Sequence, residues 1–422
     1  MHSSAIRLRG SAFLLATIGI SLAAGASTPD GTALDVALIQ ARSKLVLKDG
    51  ALTGSAGDLI RKEIVDSHFV LIGEDHGTAE IPAFSAAVCR VTGPLGFRSM
   101  AIETGAQVTG EVQSWLGRDD RLTRLAAYNK QYPFSLAFYN WREENDLLEQ
   151  CNQAAGGSLR LWGLDQELMG SAGFLLHRME ETHPGGGIAT ALKRLTEADR
   201  AAYAKAESSG NPNDMYLMAA SDRELSDFGQ LLAHDGNSEA QAAFAGLLAS
   251  RSIYAKFNAQ LGWESNRERA RLMKANFRQA YEAAGTSPKV LFKFGANHMF
   301  RGLNPLESSE IGNYVAELAE GHEWKSLHIL IVGVKGKQLR FAGVGRPGAV
   351  LPFDAAADKD SNLHLLAPLF KNLDSGCWTV FDLRSLRPKL ATYQAAPEFK
   401  RVITGFDLAV LIPEATPSHE VR

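Results

Sequence analysis

The sequence contains few cysteines, and they lie far apart. Only Cys89, Cys151 and Cys377 occur among the 422 residues. A small scaffold held together by disulfides needs a denser and even-numbered set, so that class of protein is excluded. One bridge could form in an exported chain, but we expect each cysteine to pack singly as a small buried apolar side chain.

The chain also lacks an excess of charge of either sign. It has 44 Lys and Arg against 47 Asp and Glu, a formal net charge of −3, and 45% of its residues are hydrophobic. No run of like charge is long enough for an interaction tail, and nothing indicates a basic surface. We therefore expect a globular protein without a nucleic-acid partner.

Long apolar runs are absent except near the N-terminus. Arg7 and Arg9 precede the segment SAFLLATIGISLAAGA, which is shorter than the roughly 20 residues of a membrane-spanning helix and ends in small residues. This pattern is typical of a secretory signal peptide, predicted over residues 1–26 with cleavage after Ala26. We expect a periplasmic or secreted protein that has no membrane attachment after cleavage.

Strand and helix patterns alternate along most of the remaining chain. Residues 27–55 are rich in Ser, Gly and Thr and are predicted as a linker with one short helix at most. Residues 56–418 are predicted as an α/β domain with a mixed, mainly parallel sheet flanked by helices. Within that domain, residues of about 171–285 show helical patterns and no strand, so they are predicted as an inserted helical subdomain.

Polar side chains follow each of the first four predicted strands. They are Glu74, Asp75 and His76 after HFVLIG, Glu103 and Thr104 after SMAI, Asp165 and Glu167 near the end of LWGLDQE, and Asn297, His298 and Arg301 after FKFG, with Lys293 inside the fourth strand. A single acid after a strand is more often a helix cap or turn residue. Four such ends together predict one polar site, because ligands bind beyond the carboxyl ends of parallel strands.

The helix that leads into the fourth strand adds two candidates. Arg269, Met273 and Asn276 share one face of the predicted helix over NRERARLMKANFRQAYEAAG. Arg269 and Asn276 are therefore predicted to reach the same site. The alternative is a solvated helix face with Met273 in the core.

These residues give the chain a resemblance to a known family. It resembles the erythromycin esterase family, within the wider superfamily of haem-binding ChaN-like and Tiki/TraB-like proteins. The motifs LIGEDHGTAEIPAF, GFRSMAIETG, LRLWGLDQE, RARLMKANF and KFGANHMFRG carry the resemblance, in this order. The spacing in GEDHG is similar to the ChaN-like branch, and GANHMFRG is similar to the Tiki/TraB pattern.

The resemblance implies an esterase-like hydrolase that acts on a small-molecule substrate. Glu74, His76, Glu103 and His298 occupy the positions of the family's site residues. We expect His76 to act as general base, with Glu74 or Glu103 holding its ring and His298 polarising the carbonyl group. The motif GxSxG is absent, which favours direct attack by water on an ester, lactone or amide. The residues predicted to contact the substrate are Asp165, Glu167, Arg269, Asn276, Lys293, Asn297 and Arg301.

Two alternatives to a cofactor-free hydrolase stay open. The sequence does not determine whether the protein binds no cofactor, a divalent metal ion or haem. Glu74, His76, Glu103 and His298 could hold a divalent metal ion with one position left for water. The protein could instead be a non-catalytic exported binder of haem or another small ligand. In that case the aromatic-rich residues 132–141 would cover the ligand ring.

Overall fold

The computed structural model describes residues 31–234, 237–359, 361–374 and 376–422. The predicted signal peptide, residues 1–26, lies outside this part of the chain. None of the helices found in the described residues combines the length and the apolar character that a membrane crossing requires.

A mixed sheet of nine strands forms the centre of the molecule, in the order β2-β1-β10-β11-β7-β3-β6-β4-β5, and β8 pairs with β9 in a separate hairpin. The strands are β1 (Arg42–Lys48), β2 (Ala51–Thr53), β3 (Phe69–Glu74), β4 (Ser99–Gly105), β5 (Arg160–Asp165), β6 (Val290–Gly295), β7 (Ser326–Gly333), β8 (Lys335–Arg340), β9 (Ala349–Asp354), β10 (Trp378–Asp382) and β11 (Leu408–Ile412).

The six strands β11-β7-β3-β6-β4-β5 are parallel to one another, whereas the pairs β2-β1, β1-β10 and β10-β11 are antiparallel. The prediction of a mixed, mainly parallel sheet is therefore confirmed. The four strands with polar ends lie side by side as β3-β6-β4-β5, so their carboxyl ends meet at one edge. Every residue of β3 and β4 is buried, as expected for parallel strands covered on both faces.

Helices cover the sheet on both faces. Alternate residues of β3 belong to two separate cores, with Val70 and Ile72 in one and Phe69 and Leu71 in the other. The helices are α1 (Gly31–Ala41), α2 (Gly54–Asp66), α3 (Glu80–Thr92), α4 (Ala106–Trp115), α5 (Arg121–Gln131), α6 (Arg142–Ala154), α7 (Ala172–Glu180), α8 (Gly186–Ser209), α9 (Tyr216–Ala219), α10 (Asp222–Leu232), α11 (Ser238–Asn258), α12 (Gly262–Ala283), α13 (Ile311–Gly321), α14 (Ala367–Lys371) and α15 (Pro397–Gly405).

The chain between β5 and β6 is helical, and α7 to α12 occupy it. The segment that was predicted as a linker contains regular secondary structure, because residues 31–53 form α1, β1 and β2. β1 pairs with β10 and so extends the central sheet by two strands. The linker prediction was wrong for these residues, since the Ser- and Gly-rich composition hid the short alternating segment RSKLVLK.

One disulfide joins two helices on the same side of the sheet. Cys89 on α3 is bonded to Cys151 on α6, 62 residues further along the chain, and both side chains are buried. Cys377 is free and partly exposed. The expectation that each cysteine packs singly was wrong for the first two, because the packing of α3 against α6 places the two sulfurs side by side.

Removing this bridge should destabilise the protein measurably. Cys89→Ala combined with Cys151→Ala is expected to lower the free energy of unfolding by about 2–4 kcal/mol, because a cross-link restricts the unfolded chain. Urea unfolding followed by circular dichroism measures the change, with Cys377→Ala as the matched control. An unchanged unfolding midpoint in the double variant would contradict the prediction.

Candidate functional site

The carboxyl edge of β3 carries a glutamate and a histidine that contact each other. His76 Nδ1 lies 2.7 Å from Glu74 Oε1, which fixes the orientation of the ring. The neighbouring Gly295 at the end of β6 makes room for it. A Cβ atom at that position would lie 3.0 Å from His76 Nε2 and 3.3 Å from Glu103 Oε2. The glycine therefore allows the histidine and the second glutamate to approach the same backbone segment.

Glu103, from β4, lies at the centre of the site. Its Oε2 accepts a hydrogen bond from the Gly295 amide at 2.5 Å and lies 3.5 Å from His76 Nε2. Its Oε1 lies 3.4 Å from His298 Nε2 and accepts a hydrogen bond from Arg269 Nη2 at 2.9 Å. The two imidazole rings thus flank one carboxylate, although the residues are 222 positions apart in the chain. The predicted convergence of these residues is present in the structure.

Arg269 connects the helical insertion to the sheet edge. From α12, its Nε donates to Asp165 Oδ1 at 2.8 Å, and its Nη2 reaches both Asp165 and Glu103. All three side chains are buried. A planar guanidinium suits this geometry because it presents several donors in a fixed fork. Asp165 therefore fixes the guanidinium group of Arg269, which contacts the same Glu103 oxygen that faces His298.

Lys293 lies beneath the site and joins two glutamates. Its Nζ donates to Glu74 Oε1 and to Glu144 Oε1, each at 2.7 Å, and its side chain is 1% exposed. Glu144 comes from the first turn of α6, in the sequence REEND. The sequence does not distinguish Glu144 from other acids, because acids in a first helical turn are common on solvated helices.

A second missed carboxylate orients His298. Glu310 precedes α13, and its Oε2 lies 3.3 Å from His298 Nδ1. Glu310 is 2% exposed, and a glutamate buried to this extent normally needs a partner, which here is His298. The only sequence signal for its role is its position 12 residues after the histidine, which by itself is ordinary.

The carboxylates keep both imidazoles protonated at neutral pH. Burial lowers the pKa of His76, but Glu74 and Glu103 raise it to about 10. Burial and Arg269 lower the pKa of His298, while Glu103 and Glu310 raise it to about 9. In the free protein both rings therefore carry a positive charge and donate hydrogen bonds.

The acids of the network differ in their affinity for protons. Burial raises the pKa of Glu74, but Lys293 and His76 lower it below its usual value. Glu103 has a pKa well below its usual value, because His298 and His76 outweigh burial. Burial raises the pKa of Glu144 to about 7, although Lys293 lowers it. Glu144 is thus the acid of this network that most readily holds a proton.

A cleft of about 110 Å³ opens above Glu103 and His298. Its polar wall includes Asp165, Arg269 and Asn297, which were predicted to contact a substrate. The opposite wall is apolar and comes largely from the helical insertion, with Leu168, Ile253, Tyr254, Phe257 and Leu306. The cleft therefore combines a charged floor with an apolar wall, the usual character of a small-molecule site.

Phe138 covers His76 on the side of the cleft. The two rings stack with centroids 3.7 Å apart and planes inclined by 8°. Phe138 also lines the cleft and has a φ of 58°, a left-handed conformation that bulky residues seldom adopt. The backbone thus holds this phenyl ring against the imidazole, and 19% of the His76 side chain remains exposed.

Four residues predicted to contact a substrate lie outside the cleft. Lys293 is buried below it, and Glu167 instead accepts a hydrogen bond from the Gln107 amide at the start of α4. Asn276 donates to the Leu164 carbonyl oxygen. Arg301 pairs with Asp407 at the amino ends of β7 and β11, at the opposite edge of the sheet. The structure does not bring these four side chains to the cleft, because spacing along the chain does not define the direction of a side chain.

The donor set does not fit a metal ion. Within the described residues, no group of three or more His, Cys, Asp or Glu side chains is arranged to hold one. Glu74 already contacts Lys293, and Glu103 already contacts Arg269. Both nitrogens of each imidazole face carboxylates, so the lone pairs that a metal needs carry protons. The haem-binding alternative stays a prediction.

Comparison with known proteins agrees with this architecture. The sequence matches no family model and no curated protein. Several solved structures match over most of both chains. Three of them are a mutant of the erythromycin esterase EreC in its open conformation (15% identity, TM-score 0.60, 90% of this chain and 99% of that one), a succinoglycan biosynthesis protein (13%, 0.58, 92% and 98%) and a protein from Bacillus cereus (14%, 0.55, 93% and 100%).

At these identities the likeness concerns the fold and not the reaction. It extends over nine-tenths of the chain. The chain therefore has the α/β fold of erythromycin esterase.

Proposed function

We propose that this protein is an exported hydrolase in which water attacks an ester, lactone or amide bond. One observation carries the proposal. His76 Nε2 and His298 Nε2 lie 3.5 Å and 3.4 Å from the two oxygens of Glu103. Glu103 and His298 line a cleft with an apolar wall, and His76 lies next to that cleft behind Phe138. Two imidazoles within reach of one small molecule can divide the roles of base and hydrogen-bond donor. The fold of erythromycin esterase supports the reaction class.

His76 acts as the general base in this mechanism. Its hydrogen bond to Glu74 orients the ring and stabilises the charged form, and its Nε2 takes a proton from water. The resulting hydroxide adds to the carbonyl carbon and forms a tetrahedral oxyanion. His76 then returns the proton to the leaving oxygen or nitrogen as the scissile bond breaks.

His298 stabilises the oxyanion. Glu310 and Glu103 keep its ring protonated, so Nε2 donates a hydrogen bond to the developing negative charge. The Asn297 side chain lines the same part of the cleft and supplies a second polar group. A positioned donor of this kind typically contributes about 3 kcal/mol to the stabilisation of the transition state.

The wall of the cleft suggests an apolar substrate. Ile253, Tyr254 and Phe257 from α11 face the charged floor across the cleft. Burial of an apolar group against them would drive binding, while the polar floor selects the carbonyl group. The preferred ester or lactone therefore has a bulky hydrocarbon part next to its carbonyl group.

Export fits the chemistry of the cysteines. Disulfides such as Cys89–Cys151 form and persist in oxidising compartments and are rare in the cytosol. Together with the signal-peptide pattern of residues 1–26, the bridge supports a periplasmic or secreted protein.

A panel of aryl esters, aliphatic lactones and amides in ¹⁸O-labelled water tests the proposed function. We expect hydrolysis of at least one apolar ester or lactone, with one ¹⁸O atom in the product carboxylate. Intact-mass measurement of protein quenched during turnover should detect no acyl adduct, because water attacks directly. The proposal fails if no member of the panel is hydrolysed, and an acyl adduct would overturn the mechanism.

The pH dependence of hydrolysis should be bell-shaped with an alkaline optimum. His76 must lose its proton and His298 must keep its own, and their pKa values are about 10 and about 9. Because the base has the higher pKa, kcat/KM rises up to about pH 9 and falls above about pH 10. The active form is therefore a minor population that peaks near pH ~9.5. His298→Gln keeps a donor without a titrating ring, so its profile should lose the falling limb. An optimum near neutral pH in the wild-type protein would contradict the assignment.

A further inference from the structure

A second and larger cavity lies away from the cleft. It has a volume of about 750 Å³ and shares no lining residue with the cleft above Glu103. One part of its wall comes from the end of α5 and the loop that follows it. The other part comes from the start of α7, the middle of α8 and Tyr216 at the start of α9. Residues 345–347 and the C-terminal residues Glu420 and Arg422 complete its rim. We call it the aromatic cavity.

The interior of the aromatic cavity is formed by aromatic and apolar side chains. Tyr132, Phe134, Tyr203, Met215 and Tyr216 line it, and all five are buried or half-buried. The charged side chains at its mouth, apart from Glu420, are exposed. These are Lys130, Arg200, Glu207, Arg346 and Arg422. An apolar molecule of moderate size would therefore lose water-exposed surface on entering the cavity.

One carboxylate faces this aromatic interior without a partner. Asp199 on α8 lines the cavity, and no hydrogen bond or ion pair from the described residues satisfies it. Burial raises its pKa to about 6, although nearby Arg200 lowers it. Gly173 on α7 provides the space, since a Cβ atom there would lie 2.8 Å from Asp199 Oδ2. A ligand that displaces water from this carboxylate must replace the hydrogen bonds that the water made, which a cationic group can do.

A buried hydroxyl group in the same cavity also lacks a partner. Tyr216 is 5% exposed, and its Oη has no hydrogen-bond partner. Burial, followed by the charges of Glu224 and Asp199, raises the pKa of Tyr216, so the hydroxyl keeps its proton. The cavity wall thus holds one anionic carboxylate at its surface and one neutral hydroxyl group buried behind it.

We propose that the aromatic cavity binds an organic cation, an apolar molecule that carries one protonated amine. The ammonium group pairs with Asp199 and lies against the faces of Tyr132 or Tyr203, which attract cations through their ring electrons. Phe134 and Met215 contact the hydrocarbon part of the ligand.

The exposed basic residues at the mouth do not make this an anion site. Lys130, Arg200 and Arg346 extend into solvent, where salt screens their charge. An anion inside the cavity would instead meet the unpaired Asp199 carboxylate in surroundings of low polarity. The sign of charge in the interior therefore selects a cation.

Calorimetric titration at pH 8 with three phenyl compounds of similar size tests the proposal. N,N-dimethylphenethylamine is cationic at this pH, 2-phenylethanol is neutral and 3-phenylpropanoate is anionic. We expect the cation to bind about tenfold or more tightly than the alcohol, since a charged hydrogen bond is worth more than a neutral one. Equal binding of the cation and the alcohol, or preferential binding of the anion, would overturn the proposal. This test uses the wild-type protein alone.

Asp199→Asn then locates the bound amine. It should weaken binding of the amine about tenfold or more, whereas Glu207→Gln, at the exposed rim of the same cavity, should leave the affinity unchanged. The Asp199 side chain has no partner to lose, so the variant should keep the wild-type melting temperature. Retained affinity in the folded Asp199→Asn variant, or loss of binding in His76→Asn, would place the amine elsewhere and overturn the proposal.

Discussion

Replacing His76 with asparagine is expected to lower kcat/KM for the hydrolysed ester or lactone by about 10²–10⁴-fold. Asparagine cannot accept a proton from water, so it removes the general base while keeping a polar side chain next to Glu74. The effect should appear in kcat more than in KM, because the proton transfer occurs in the transition state. Steady-state kinetics at the alkaline optimum provides the measurement.

Asp75→Asn is the matched control for this variant. Asp75 is adjacent in the chain, but its carboxylate faces Arg340, with Oδ2 3.8 Å from Arg340 Nη2. The change therefore removes a neighbouring charge without touching the imidazole, and kcat/KM should stay close to the wild-type value. If His76→Asn retained wild-type turnover, His76 would not be the base. If both variants lost activity equally, the local charge would matter more than the imidazole.

The largest effect on stability is expected from Lys293→Met. This change leaves Glu74 and Glu144 buried without the ammonium group that each contacts at 2.7 Å. Breaking a buried ion pair by removing one partner typically costs about 3–5 kcal/mol in the free energy of unfolding. Methionine has a similar volume, so lost packing contributes little. Chemical unfolding at pH 7.5 measures the loss.

Two further measurements separate this charge effect from a packing effect. Adding Glu144→Gln to Lys293→Met should recover part of the lost stability, because one buried carboxylate then no longer needs a cation. Lower pH should also reduce the deficit. Burial already raises the pKa of Glu144 to about 7, and removal of Lys293 raises it further above the unfolded value, so protonation at lower pH favours the folded variant. A deficit that is constant between pH 5 and 8 would contradict this explanation.

Much of the site could be predicted from the chain itself, because strand ends are local features. The apolar runs before Glu74, Glu103, Asp165 and His298 predict buried strands, and parallel strands bring their carboxyl ends to one edge. The observed order β3-β6-β4-β5 places those four strands side by side. The helix that carries Arg269 precedes β6, and its arginine reaches the edge as expected from its position.

The errors share a physical cause, which is that spacing contains no information about direction or long-range contacts. Arg301 follows His298 by three residues, yet the chain turns away and pairs it with Asp407 at the far edge of the sheet. Glu144 and Glu310 appeared to be ordinary acids next to helix starts. They became parts of the site only because α6 and α13 pack beside β6 and the segment after it.

The sequence by itself determined the fold class, the edge of the sheet at which polar groups gather, and the residues at its centre. Local apolar patterns and the handedness of parallel connections are sufficient for these features. Only the tertiary structure decided which carboxylates contact which bases. The same packing joined Cys89 to Cys151 and left Asp199 unpaired in an aromatic cavity. Ion pairs, disulfides and proton affinities depend on distances of a few ångströms between segments that lie far apart in the chain, and packing alone defines those distances.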